Sequence, residues 1–510
     1  MGPPLVVGGA FGRLAGAAWI LVRNDALLPR ELDGLYPPSV STLAKTLRLF
    51  AGRGARSGRP GERLARSLEG MGPVAIKLGQ LLSTRGDFFG REFAEDLSRL
   101  KDRLPPFPTS VARAEVERAL GRTVESLYAE FGEPIAAASL AQAHEARLLD
   151  GRKVAVKVLR PGIERQVADD GEGLALAARL VDRWVPAARR LEPKGFADTV
   201  IRATVLELDL RLEAAGADEL REVMVKDGYM SAPPIVWEGV GKRVLTMEWA
   251  RGWPLSDPGA LTQPGLEPQA MADNLIRAFL AQALDHGVFH ADLHEGNLFA
   301  AAPAQLTAVD FGIIGRIGPA ERRYLAEILW GFLNKDYEGV ARTHFSAGYV
   351  PAHHSVEAFA QALRAVGEPV FGRKASEVPM SRVLMQLFEI TALYDMHLRP
   401  ELVLLQKTMM TVEGVARRIQ PDHDIWTAAD PVVRRWMARE LSPAARIKRF
   451  SEEAAAALRN LARLIETPPG AGARAARDPP RERSALLWFA IGAVASGAAF
   501  LAAVYWGLGR

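Results

Sequence analysis

Cysteine is absent from the 510 residues, which excludes disulfides, thiolate-bound zinc and cysteine nucleophiles and agrees with a reducing compartment. Any metal must sit on oxygen or histidine. Charge of one dominant sign is also missing: 64 Lys and Arg face 60 Asp and Glu, a formal +4. The arginines are scattered and not interleaved with aromatics as a nucleic-acid groove requires, so no nucleic-acid partner is expected. With 48% hydrophobic and 24% charged residues, the composition is that of a folded, water-soluble chain, and neither wholesale disorder nor a polytopic membrane protein is indicated.

Long uncharged runs are lacking, with one exception. From Ser484 to Gly507 no charge occurs, and at 1.5 Å per residue that length crosses a hydrocarbon core of about 30 Å. Trp488, Tyr505 and Trp506 stand where interfacial aromatics belong, and Arg474, Arg477, Arg481 and Arg483 crowd the preceding flank. The expectation is a single-pass helix over 484–508 in the cell inner membrane, with the large domain cytoplasmic. Residues 14–22 are apolar but short and lack a cleavage site, so they do not read as a secretory signal. The Gly- and Arg-rich stretch 51–63 reads as a mobile linker able to touch anionic lipid or simply solvated.

What is present divides into five segments: a helical extension (1–108), a strand-containing lobe with a long helical insert (109–250), a mainly helical lobe (251–425), a helical tail and Pro/Gly/Arg-rich tether (426–483), and the terminal apolar run (484–508). Pro105, Pro106 and Pro108 break the first helical pattern. The alternating KVAVKVL after Asp150-Gly151 predicts a hairpin strand, and KRVLTMEW, which carries Glu248, predicts another. The fold class expected is α+β, a two-lobed enzyme with extensions.

The chemistry is carried by His290-Ala291-Asp292-Leu293-His294-Glu295-Gly296-Asn297, followed after a short apolar run by Asp310-Phe311-Gly312. Phosphoryl transfer asks little covalent work of a protein. It needs carboxylate and amide oxygens that hold Mg²⁺ on the phosphates and a carboxylate that orients the nucleophile. Asp292 fits the last role, and Asn297 and Asp310 fit the metal. Either motif alone is weak, since an isolated D-F-G is often only a turn, but their order and spacing reinforce each other. Upstream, Val154-Ala155-Val156-Lys157 matches the strand whose lysine pairs with nucleotide phosphates. Its partner carboxylate has candidates in Glu207, Asp209 and Glu213.

Together these residues resemble the UbiB/AarF family of atypical kinases linked to ubiquinone biosynthesis. Lys77-Leu78-Gly79-Gln80 matches the family's K-x-G-Q motif, Ala136-Ala137-Ala138-Ser139 with Gln142 its alanine-rich replacement of the glycine loop, and Glu207-Leu208-Asp209 its E-x-D motif. The resemblance spans about residues 30–425. It implies ATP and Mg²⁺ as cofactors, Glu213 as the partner of Lys157, and Lys77 held by Glu207 and Asp209 on a helix that covers the pocket. Lys77, Gln80, Glu207, Asp209, Ala136, Ala137, Ala138, Ser139, Gln142, Lys157, Glu213 and Glu248 form the expected nucleotide-contacting set. The implied partners are membrane lipid and quinone-biosynthesis intermediates or enzymes.

The chain departs from the family pattern at Leu293 and Glu295, where prolines are usual, and at Gly216, where asparagine is expected. It contains no A-P-E tripeptide. Three readings follow: an ATPase or small-molecule kinase serving quinone-lipid synthesis, a protein kinase, or a nucleotide-binding scaffold.

Overall fold

The computed structural model describes residues 10–27, 30–31, 38–52, 55, 57–83, 91–98, 100, 104–184, 192–368, 390, 393–396 and 400–440. The chain forms two units, 1–439 and 440–510. All but the first residue of the second unit lies outside the described residues.

The first unit opens with helices α1 (Ala10–Arg23), α2 (Pro38–Leu47), α3 (Pro60–Glu69), α4 (Pro73–Ser83) and α5 (Arg91–Ser98). The described residues of the stretch 51–63 do not form a solvated linker. Arg63 is among the most buried large side chains of the molecule. It donates to Glu31 at 2.6 and 2.9 Å and to the backbone oxygens of Asp25 and Gly58. Arg59, just before α3, pairs with Glu92 and Asp96. These arginines are spent on acids within the extension, which is why Gly- and Arg-rich composition misleads there.

After α6 (Thr109–Leu120), strands β1 (Tyr128–Ala137), β2 (Ala141–Leu148), β3 (Lys153–Leu159) and β4 (Val244–Glu248) form one antiparallel sheet in the order β1-β2-β3-β4. The β-branched alternation of β3 puts Val154, Val156 and Val158 on a face covered by Val116 of α6. Between β3 and β4 the chain inserts α7 (Ile163–Trp184), α8 (Pro193–Leu206) and α9 (Leu210–Asp227). Their apolar stripes, with Val74 of α4, cover the opposite face through Leu159, Leu245 and Met247.

The second lobe contains a short strand β5 (Trp253–Pro254), α10 (Pro268–Ala281), β6 (Val288–His290), β7 (Leu298–Ala301), β8 (Gln305–Ala308), β9 (Ile314–Arg316) and the helices α11 (Pro319–Leu333), α12 (Tyr337–Ser346), α13 (Val356–Gly367), α14 (Pro400–Ile419) and α15 (Ile425–Glu440). Its core gathers Phe279, Phe289, Leu293, Phe311 and Val412 around the loops that follow β6 and β8.

The membrane expectation is corrected. Among the described residues no helix is long and apolar enough to cross a membrane, and the run at 484–508 on which that expectation rested lies outside them. The single-pass inner-membrane placement is therefore withdrawn.

Candidate active site

Directly paired residues of antiparallel strands share a face of the sheet, so register decides which side chains look toward the reactive cleft. Ala136 pairs with Ala143, Ala143 with Lys157, and Lys157 with Leu245. This row defines the lysine's face. Lys157 Nζ donates to Glu213 of α9 at 2.7 and 2.9 Å and to Asp310 at 3.3 Å. Burial alone would pull its pKa down, but the two carboxylates outweigh burial and hold it above the ordinary lysine range. Charge attraction from Lys157 in turn keeps Asp310 below the usual carboxylate range, whereas burial pushes Glu213 up.

Asp310 has φ of 60°, in the left-handed region that aspartate tolerates better than most residues. The Asp292 loop is knitted to the chain around it. Ala291 N–H donates to Ile313 O at 3.0 Å, Asp292 N–H to His290 Nδ1 at 3.1 Å, and His290 Nε2 contacts Val309 O at 3.2 Å. Asn297 Nδ2 donates to Asp292 O at 3.0 Å, and Val309 N–H to Asn297 O at 2.9 Å. With its NH₂ used in this way, Asn297 keeps its amide Oδ1 as an acceptor. Oxygens of Asn297 and Asp310 form a hard donor set of the kind magnesium takes.

The departures from the family pattern have packing reasons. Leu293 is fully buried in the large core, and Glu295 forms an ion pair with Arg418 of α14. A side chain at Gly216 would begin 2.2 Å from Ile314 Cδ1. A residue larger than glycine at 216 requires the Ile314 side chain to move aside.

Helix α4 carries Lys77, which pairs with Glu207 at the end of α8. Burial raises the Glu207 pKa, against the pull of Lys77. Gly79 fits because a Cβ there would stand 2.2 Å from Leu100 and 2.8 Å from Leu68. Gln80 lies nearly one turn beyond Lys77 on the same helix.

Three expected site residues are placed otherwise. Asp209 does not join Lys77: its carboxylate takes Arg211 at 2.6 and 2.8 Å and caps α9 through the Arg211 N–H. Gln142 pairs with Val158, on the face opposite Lys157. There its buried amide bonds Phe107 N and O at 2.8 and 3.0 Å and His144 at 2.8 Å. Glu248 pairs with Val154, again opposite Lys157, and its carboxylate is held by Arg152 at 2.8 Å. Ala137 lies on the Gln142 face by its pairing. Ala138 and Ser139 form the turn, whose Ala138 O accepts from Arg160 at 2.9 Å.

Sequence reasoning missed α14. Thr408 Oγ1 donates to Ala291 O at 3.0 Å, and the neighbouring Lys407 feels the charges of Asp292 and Lys77. The signal was the polar run Gln406-Lys407-Thr408 between the apolar Leu402–Leu405 and Met409-Met410.

A lysine fixed by a helix carboxylate, facing an aspartate loop and a D-F-G turn across two lobes, defines a protein of the kinase-like class. The comparisons refine this. Residues 99–344 match the model of the ABC1 atypical kinase-like domain and residues 363–424 that of the UbiB helical domain. A relative named "Probable protein kinase UbiB" in Marinobacter nauticus is 40% identical over 393 residues, covering 76% of this chain and 72% of its own. One of the same name in Pseudomonas paraeruginosa is 38% identical over 398 residues, covering 77% and 75%. The chain belongs to the UbiB family of ABC1 atypical kinase-like proteins. A solved chain, Rv3197 of Mycobacterium tuberculosis in complex with erythromycin, shares the fold at a TM-score of 0.50 and 23% identity, covering 77% of this chain and 98% of that one.

Proposed function

We propose that this kinase-type protein binds Mg-ATP between its lobes and acts as an atypical small-molecule kinase or ATPase supporting synthesis of ubiquinone-type lipids. The observation that carries the reading is the bridge from Lys157 to Glu213 and Asp310, which prepares a fixed cation for phosphate and a carboxylate for the metal. Bound Mg²⁺ would supply charge neutralisation at the phosphates.

The residues divide the remaining work. Lys157 holds the phosphates from the sheet, and Ala136 lines the same face. Asn297 and Asp310 would hold the metal, and Asp292 orients the acceptor hydroxyl or water and takes its proton. The tie from Asn297 to Asp292 O at 3.0 Å couples metal placement to nucleophile placement, so the groups act as a unit.

A small acceptor is favoured over a protein by the chain after the D-F-G turn. Only residues 313–318 separate Gly312 from α11, and three of them form β9, paired to β6. That leaves no extended segment on which a peptide could lie, and α4, anchored by Lys77 and Glu207, packs on the Lys157 side of the sheet. Partners of this reading are quinone-ring intermediates or the enzymes that handle them.

The test is Mg-ATP binding and consumption by the purified protein with and without phenolic quinone-precursor analogues. Stimulation by the phenol supports the reading. Turnover stimulated only by added protein substrates, with the phenols inert, would replace it with the protein-kinase reading.

A further inference from the structure

Lys407 is half-buried on α14, and its amino group makes no hydrogen bond or ion pair among the described residues. Its backbone is nonetheless closely fixed. The next residue, Thr408, is bonded to Ala291 beside Asp292, and Arg418 three turns on is paired with Glu295 in the same loop. The charges that reach Lys407 are those of Asp292 and Lys77. For an ammonium whose desolvation outweighs the pull of the nearby Asp292 carboxylate, a ligand anion relieves the imbalance.

The catalytic loop itself offers no such cation. His294 accepts the Gly296 N–H at 3.0 Å through Nδ1, and its other ring nitrogen, Nε2, already faces Asp292 Oδ2 at 3.6 Å. Lys157 is already engaged by Glu213 and Asp310, and Lys77 by Glu207. A fixed donor aimed at the charge that develops on a transferring phosphoryl group stabilises the transition state.

We propose that the ammonium of Lys407 meets the terminal phosphoryl group of the nucleotide beside Asp292, so that α14 contributes to the reaction centre as well as bracing it. The inference rests on the Mg-ATP reading above. It makes Lys407 a catalytic residue that senses only the terminal phosphate, while the inner phosphates belong to Lys157. It also assigns the helical segment that follows the kinase-like domain a direct part in the chemistry.

The experiment uses the full chain with Lys407→Met, Lys407→Arg and Asp292→Asn. Lys407→Met should lower Mg-ATP turnover about 100-fold, weaken ATP binding and leave ADP binding unchanged. Because an unpaired buried charge is removed, the melting temperature of the nucleotide-free protein should rise. Lys407→Arg should recover part of the turnover. A structural lysine would behave differently: melting temperature, ADP affinity and turnover would fall together, which would overturn the proposal. Unchanged turnover in Lys407→Met beside a dead Asp292→Asn would overturn it while leaving the Mg-ATP reading intact. Failure of the parent to bind Mg-ATP at all would remove both.

Discussion

Gly315→Ala tests how closely the two catalytic segments are packed. Gly315 lies on β9, opposite Phe289 of β6, and a Cβ added there would stand 2.1 Å from Phe289 Cζ and 2.5 Å from both Cε atoms. Carbon atoms pack at about 3.5–4.0 Å, so the ring must retreat by roughly 1.5 Å. It has nowhere to go. Phe289 is fully buried and stands edge-on to Phe279 with centroids 5.8 Å apart. Overpacking of this kind costs typically 1–3 kcal/mol, and with three ring atoms in conflict the upper figure applies. At about 2–4 °C per kcal/mol for a lobe of this size, the melting temperature should fall by about 6–12 °C.

The ring also precedes His290, which supports Asp292 N–H, so Mg-ATP turnover should fall with stability. Phe289→Leu in the same chain opens space, and the double variant should be more stable than the sum of the single losses by at least about 1 kcal/mol. Thermal melts of the four proteins decide the matter. A Gly315→Ala variant within about 0.5 kcal/mol of the parent, or strict additivity in the cycle, would refute the packing argument.

Gln142→Leu should cost about 1–3 kcal/mol in urea unfolding, because the Phe107 backbone loses both its partners, while ATP affinity stays at the parent value; weakened ATP binding at unchanged stability would return Gln142 to the nucleotide site. Arg63→Met should lower stability by about 3 kcal/mol, since Asp25 and Glu31 are left without their shared guanidinium, and a loss below about 0.5 kcal/mol would restore the linker reading of 51–63. His144, His290 and His344 are buried, and burial holds each below the ordinary imidazole range. The unfolded chain therefore takes up protons first, so their contribution is complete above pH of about 6.5 and is lost as the pH falls below it, by at most about 1.4 kcal/mol per pH unit for each ring. Imidazole NMR signals that titrate at or above pH of about 6.5 in the folded protein would contradict this.

What the sequence made legible was local. The loop from His290 to Asn297 and the turn at Asp310 lie close together in the chain, and their ligand spacing survives folding because short strands β6 to β9 fix it. Face parity was not legible. Gln142 and Glu248 fall on the wrong side of the sheet because each is paired across from a core valine, and register is set by packing that no motif records. Asp209 was expected on Lys77, but a residue at a helix start is drawn to the orphan N–H groups and to the arginine two places on. Gly216 stands where the family pattern has asparagine; its Cα faces the Ile314 side chain. The polar residues at Lys407 were legible but their role was not, because the relation to Asp292 exists only once α14 has docked on Ala291.

The central claim is that Asp292, Asn297, Asp310 and Lys157 form one phosphoryl-transfer centre. Its most direct test is the rate of Mg-ATP consumption by the parent and by Asp292→Asn, an isosteric change that keeps the loop's backbone bonds to Asn297 and His290. The account predicts that the variant binds Mg-ATP and melts like the parent but turns over at least about 100-fold more slowly. Parent-like turnover by Asp292→Asn would contradict it.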